Sequence, residues 1–198
     1  VNNRSNSIVN RVSSVGRKVG NHIYTTRRNE KMGFKKTSEL IAVSFNTVEL
    51  APNTFIQDEI ALQLDVLNNE IFVVLAVDLD LGNPDAIAAT DTDTSASVCS
   101  TTQTGTVGIG TTNCIASARD AIRAAGFVDG GVAFARAAES TYSNVDYVAL
   151  IATNNFFVQL QGANNITLKT VSGRVWGYRA KADSSTYAAL VQSEVLSA

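Results

Sequence analysis

The sequence predicts a mainly β chain: an antiparallel β-sandwich with one or two short helices, preceded by a basic arm that is extended or disordered. Three observations predict it. After Thr37, apolar and polar residues alternate at period two along several stretches, the pattern of strands with one buried and one wet face. Turn signals rich in Gly, Asn and Pro punctuate those stretches, without the strand–helix rhythm of a parallel sheet. Charge is also divided. Residues 1–36 carry Arg4, Arg11, Arg17, Lys18, Arg27, Arg28, Lys31, Lys35 and Lys36 against Glu30 alone, a net +8; the remainder holds seven basic and seventeen acidic residues, a net −10.

The arm, 1–36, is rich in Asn, Ser, Arg, Lys and Gly. Ile8, Val12, Val15 and Val19 fall at helical spacing, but Gly16 and Gly20 interrupt them. Such a segment buries too little apolar surface to fold alone and orders where it meets partners. The sandwich domain, 37–198, opens with Leu40, Ala42 and Ser44 alternating with Ile41, Val43 and Phe45, then a turn at Ala51-Pro52-Asn53. Ile56–Val66 alternates as a half-buried strand. Asn68-Asn69 predicts a tight hairpin into Ile71–Val77, because Asn tolerates positive φ. That run is continuously apolar, hence buried on both faces, and continues through Asp78–Leu81 to a stop at Gly82-Asn83-Pro84.

Residues 85–112 are low in complexity, with short strands expected at Ser95–Thr101 and Thr104–Ile109. Asn113 is expected to cap a helix whose face is Ile115, Ala118, Ile122 and Ala125, stopping at Gly126. A strand at Val132–Ala137 follows Gly130-Gly131. The apolar stretch Val145–Thr153, a strand at Phe156–Gln161, a turn at 162–165 and a long strand at Ile166–Ala180 come next. Tyr187–Leu196 reads as a short helix capped by Ser184 or Ser185. The count is eight or nine strands.

The chain of 198 residues suits one domain with a tail. Its residues are 45 % hydrophobic and 17 % charged, enough for a core and a weakly charged surface of the kind that neighbouring copies cover. The residue set points away from an enzyme. The single histidine, His22, lies in the arm, so no Ser-His-Asp or Cys-His device stands on the scaffold, and nothing selects a carboxylate pair. Thr104–Gly110 is Gly-rich but lacks the Lys-Ser/Thr or Gly-x-Gly-x-x-Gly of a phosphate cradle. Cys99 and Cys114 read as small buried thiols or a single disulfide.

Asp78, Asp80, Asp85, Asp91 and Asp93 form an acidic cluster. Asp78–Asn83 resembles the start of a Ca²⁺ loop, but Ala89 stands where the bidentate Glu belongs. Asp78 and Asp80 share a strand face and are the metal candidates, for a Ca²⁺ between subunits; a solvated strand face is the alternative, and no other cofactor is implied. Asn165-Ile166-Thr167 and Asn3-Arg4-Ser5 match the glycosylation pattern without a secretory signal to support them. No run of about 18 apolar residues exists, so no membrane partner is expected. Arg174, Trp176 and Tyr178 share one strand face, fit either for stacking on bases or for a core or subunit contact. The arm's cations are spread along it, which suits neutralising phosphates rather than reading bases.

Arg17-Lys18, Arg27-Arg28 and Lys35-Lys36 in a flexible arm, followed by about 160 residues of β-sandwich with short helical inserts, resemble the coat proteins of small icosahedral viruses, single jelly-roll type with a basic N-terminal arm. The resemblance implies an eight-stranded jelly roll, self-assembly of many copies into an icosahedral capsid, location in the virion, and contact between the arm and packaged nucleic acid through its phosphates. The hairpin at Asn68-Asn69 departs from the family pattern, because consecutive jelly-roll strands usually alternate between sheets. Two other readings share the same features: a non-viral or phage assembly protein of a surface layer, fibre or tail, and a monomeric nucleic-acid-binding module.

Overall fold

In the computed structural model, which describes residues 33–124, 133–138 and 145–196, alternation along β2 (Ile41–Val48) sends Ile41, Val43, Phe45 and Thr47 inward and Ala42, Ser44, Asn46 and Val48 to solvent. The other described strands are β1 (Phe34–Lys36), β3 (Ile56–Ala61), β4 (Glu70–Leu81), β5 (Thr92–Cys99), β6 (Cys114–Arg123), β7 (Ala133–Ala138), β8 (Ala149–Ile151), β9 (Asn155–Ala163) and β10 (Thr170–Ala182); α1 (Ser184–Leu196) closes the described chain. All pairings are antiparallel. One sheet runs β2-β10-β4-β8, with β1 also on β10; the other runs β3-β9-β5-β6-β7. The chain therefore changes sheet at β2→β3, β3→β4, β4→β5, β7→β8, β8→β9 and β9→β10. Without β1 and β7, this is the two-sheet, eight-strand order of a jelly roll.

The core lies between the sheets, where Phe45, Phe72, Val74, Val98, Phe156, Val158, Leu160, Val171 and Val175 are buried. The rings of Phe45 and Phe156 meet edge to face at 6.2 Å. β4 crosses this core with a bulge. Val74 pairs with Gly177 and Ala76 with Trp176, leaving Leu75 over. The extra residue shifts the inward set from Phe72 and Val74 to Val77, Leu79 and Leu81. The opposite face of the same run, Ile71 and Val73, packs with Ala180 and Ala182 beneath Tyr187, Leu190 and Val191 of α1. The expected burial of this run on both faces is thus present. Asp183, rather than Ser184 or Ser185, caps α1: its Oδ1 accepts from the Thr186 N–H at 2.8 Å.

Three expectations are corrected. The turn at Asn68-Asn69 is not a hairpin, since β3 pairs with β9 while β4 pairs with β10 and β8. Past Ala61 the chain leaves its sheet with Leu62 and Leu64 still buried, then makes a 3₁₀ turn at Val66–Asn68. Asp65 accepts from the Asn68 N–H, and Asn69 takes the left-handed conformation its type tolerates, at φ 56°. The left-handed Asn was legible; the direction in which the turn sends the chain was not. The departure from jelly-roll order disappears with the hairpin.

The expected helix at 113–126 is a strand, β6, as far as it is described. Ile115, Ala118 and Ile122 fit a helical face, but β5 and β7 offer ladders on both edges, and tertiary pairing overrides the weak local preference. A bulge at Ile115 breaks the strict alternation that would have marked the strand. The strand expected at Thr104–Ile109 is loop. The Val107 N–H goes to the Ser97 hydroxyl and the Thr106 hydroxyl pairs with Ser95, so the segment folds back on the second sheet instead of extending it.

Candidate nucleic-acid interface

Of the predicted nucleic-acid residues, Lys35 and Lys36 stand in β1; Arg4, Arg11, Arg17, Lys18, Arg27, Arg28 and Lys31 lie outside the described residues, as does His22. Lys36 is exposed. Its Nζ sits 5.2 Å from the Tyr178 ring centre and 3.7 Å from Glu39 Oε2. Burial is the main cause that raises the Tyr178 hydroxyl pKa, with the Asp146 charge second. Lys35 pairs directly with Lys181, and both are exposed. Like charges opposite one another in a ladder cost stability unless an anion sits between them. Arg179 lies two residues along the same face and reaches Glu70 at 3.8 Å, while Glu70 pairs with Lys181 across the other ladder. Lys181 thus stands between Lys35 on one ladder and Glu70 on the other, and Arg179 pairs with Glu70. Lys181 and Arg179 join the predicted lysines through strand pairing, which sequence alternation could not register.

Arg174, Trp176 and Tyr178 do share one face of β10, and Tyr178 packs there against the cluster beneath α1. The Arg174 guanidinium lies 5.9 Å from the Trp176 ring, and Trp176 belongs to neither core cluster. The indole N–H donates to Asp78 Oδ2 at 2.7 Å, and Arg174 pairs with Asp78 in the ladder. Asp78, Asp80, Ser44, Ser172 and Arg174 line a shallow groove of about 420 Å³ beside this row. Aromatic faces alternating with cations can stack bases, but the two carboxylates disfavour phosphate at the Arg174 end. Lys181 and its partner Lys35 stand on the opposite face of β10 from this row. Asp78 and Asp80 share a face as expected. Among the described residues no three His, Cys, Asp or Glu side chains gather as a metal site.

Asp85, the third member of the acidic cluster, has a different role. Its carboxylate accepts from Lys169 Nζ at 2.6 Å, from the Ile166 and Thr167 N–H groups at 2.8 Å each, and from the Thr167 hydroxyl. Burial works to raise its pKa, and the bonds from Lys169, Thr167 and Ile166 outweigh it, holding the carboxyl far below the usual range. Glu49, fully enclosed, accepts from the Gly162 and Lys169 N–H groups. Asn165 is buried and donates its amide to the Asp93 carbonyl at 2.7 Å, so its glycosylation triplet presents no accessible acceptor. This network ties together the β2–β3, β4–β5 and β9–β10 loops. Sequence reasoning missed Lys169 and Glu49; the signal was a charge on either side of alternating apolar stretches.

Cys99 and Cys114 are the last paired residues of the β5–β6 ladder, one buried and the other half-buried, and no disulfide joins them.

No protein-family model and no curated protein matches the chain. Among solved structures, a chain of Desmodium yellow mottle tymovirus is similar at 9 % identity and a TM-score of 0.27, over 74 % of this chain and 91 % of that one. A likeness so distant fixes no family.

Proposed function

We propose that this chain is a non-enzymatic viral coat protein, whose copies close into a shell and whose basic N-terminal segment holds the packaged genome through its phosphates. The observation that carries the reading is a cationic segment placed ahead of an acidic sandwich with jelly-roll strand order. Strand order alone does not choose, because lectins and cupins share it. The charge division favours the coat reading. Cations concentrated by many copies offset the mutual repulsion of condensed phosphates, while net negative sandwiches stay off the nucleic acid elsewhere.

Exposed apolar side chains supply surface for self-association. Leu50, Ile166 and Leu168 are 86 %, 73 % and 46 % exposed on the loops tied by the Asn53–Asn165 bonds, and Leu67 is 96 % exposed on the β3–β4 connection. Apolar surface of this kind, repeated in every copy, gives up water on assembly.

The test is expression of the full chain, followed by sizing, electron microscopy and the 260/280 absorbance ratio of any particles. Closed shells carrying nucleic acid are expected. Replacing the seven Arg and Lys of residues 1–32 by Gln is expected to leave shells without nucleic acid, or none at all. A full chain that stays monomeric at high concentration and low salt overturns the proposal; sheets or fibres would move it to a different assembly protein.

A further inference from the structure

The loop between β5 and β6 holds fourteen residues, 100–113, with a cysteine at each end. It is not loose. Ser100 N–H donates to the Asn113 carbonyl at 3.0 Å directly above the Cys99–Cys114 pair, and Asn113 donates to the Thr101 hydroxyl at 2.7 Å. Further out, the Gln103 N–H reaches Gln57 Oε1 and the Val107 N–H reaches the Ser97 hydroxyl. The loop therefore lies along the outer face of the second sheet, and the two cysteines stand opposite each other at its neck.

We propose that Cys99 and Cys114 are a reversible disulfide site that closes the neck of this loop when the protein meets a small-molecule disulfide such as oxidised glutathione. Directly paired residues of an antiparallel ladder have Cα atoms about 4.5–5.5 Å apart, inside the span of about 4.4–6.8 Å that a disulfide bridges. The register gives this pairing to Cys99 and Cys114 although the bulge leaves Ile115 over, and both side chains fall on the loop side of the sheet. The neighbouring Cys114 side chain and burial push the Cys99 thiol well above the usual range and hold it protonated.

That asymmetry sets the order of steps. Cys99 is fully enclosed and Cys114 partly open. The Cys114 thiolate attacks one sulfur of the oxidant, forms a mixed disulfide and expels one small-molecule thiolate. The charge on Cys114 that disfavoured ionisation of Cys99 is then gone, and the neighbouring Ser97 and Gln159 side chains favour the Cys99 thiolate. Cys99 attacks the Cys114 sulfur and expels the second thiolate. Two protein thiols are oxidised, and one external disulfide is reduced to two thiols.

The inference does not depend on the coat reading. The test incubates the folded full chain with oxidised glutathione, blocks remaining thiols and maps peptides by mass spectrometry. A Cys99–Cys114 link within one chain, a mass lower by two hydrogens, slower protease cleavage inside 100–113 and reversal by dithiothreitol are expected. The closed neck is expected to lower the unfolding equilibrium constant by on the order of 100-fold, from the chain entropy of a loop this size. Cys99→Ser is expected to stop at the mixed disulfide on Cys114. A wild-type mixed disulfide that never resolves, links only between chains, or thiols that react in urea but not in the folded protein would each overturn the proposal. These readouts on the wild-type chain decide even if the variant fails to fold.

Discussion

Removing either partner of the Lys169–Asp85 pair tests which buried charge the fold can least afford to strand. The Lys169 side chain is 4 % exposed and that of Asp85 21 %. Lys169 Nζ has three partners: Asn83 O, Asp85 Oδ1 and Thr167 Oγ1. In Asp85→Asn the ammonium remains, almost without water and without its counter-charge; breaking a buried pair in this way costs about 3–5 kcal/mol. In Lys169→Met the aliphatic stem is preserved, and the carboxylate left behind keeps three donors from Ile166 and Thr167 and a share of solvent. Its cost falls nearer about 2–3 kcal/mol, the worth of charge-assisted hydrogen bonds lost at a partly hydrated site. The double variant, which strands no charge, costs less than the sum.

Urea unfolding at pH 7 reads all three. The acid limb supplies a second check. Asp85 has a folded pKa below its unfolded one, so its contribution is complete above about pH 4, the ordinary Asp value, and is lost as pH falls toward the folded pKa. The wild type therefore loses stability below about pH 4 faster than Asp85→Asn does. A Lys169→Met cost exceeding that of Asp85→Asn, or an unchanged acid limb, would refute the reasoning.

Two further predictions concern single positions. A Cβ on Gly173 would lie 2.3 Å from the Asp78 carbonyl oxygen and 2.6 Å from Phe45 Cζ, so Gly173→Ala is expected to lower stability by about 1–3 kcal/mol in denaturant titration. Gly105→Ala, which meets nothing within 4 Å, is expected to stay within about 0.5 kcal/mol. Glu194 on α1 is buried; its Oε1 accepts from the Ala152 N–H, its Oε2 finds no hydrogen-bond partner among the described residues, and Tyr187 is the titratable neighbour. Burial raises the Glu194 pKa above its unfolded value, so the protein is favoured below about pH 4 and loses that contribution as pH climbs through the folded pKa. Thermal melts of Glu194→Gln are expected to match wild type at low pH and exceed it at neutral pH, by about 1 kcal/mol; a gap that does not grow with pH would count against this.

Most of the sandwich was legible because its strands keep their two faces distinct: β2, β9 and β10 alternate and were found. What escaped was long-range. Leu62 and Leu64 continue the alternation of β3 although the ladder has ended, so the chain's passage to the other sheet left no local mark. β6 is Ala-rich and bulged, and only its neighbours make it a strand. The site divided in the same way. The arm's charge could be counted, and the shared face of Arg174, Trp176 and Tyr178 followed from period two. The Lys35–Lys181 juxtaposition and the buried Lys169 come from strand pairing and loop packing between residues distant in the sequence.

The electrostatic division of labour is tested most directly by the salt dependence of single-stranded nucleic-acid binding. The full chain should be compared with a variant whose seven Arg and Lys in residues 1–32 are Gln. If those seven cations neutralise phosphates, log K falls with log salt at a slope of about −5 for the native chain and far less for the variant. Equal slopes for the two would contradict the account.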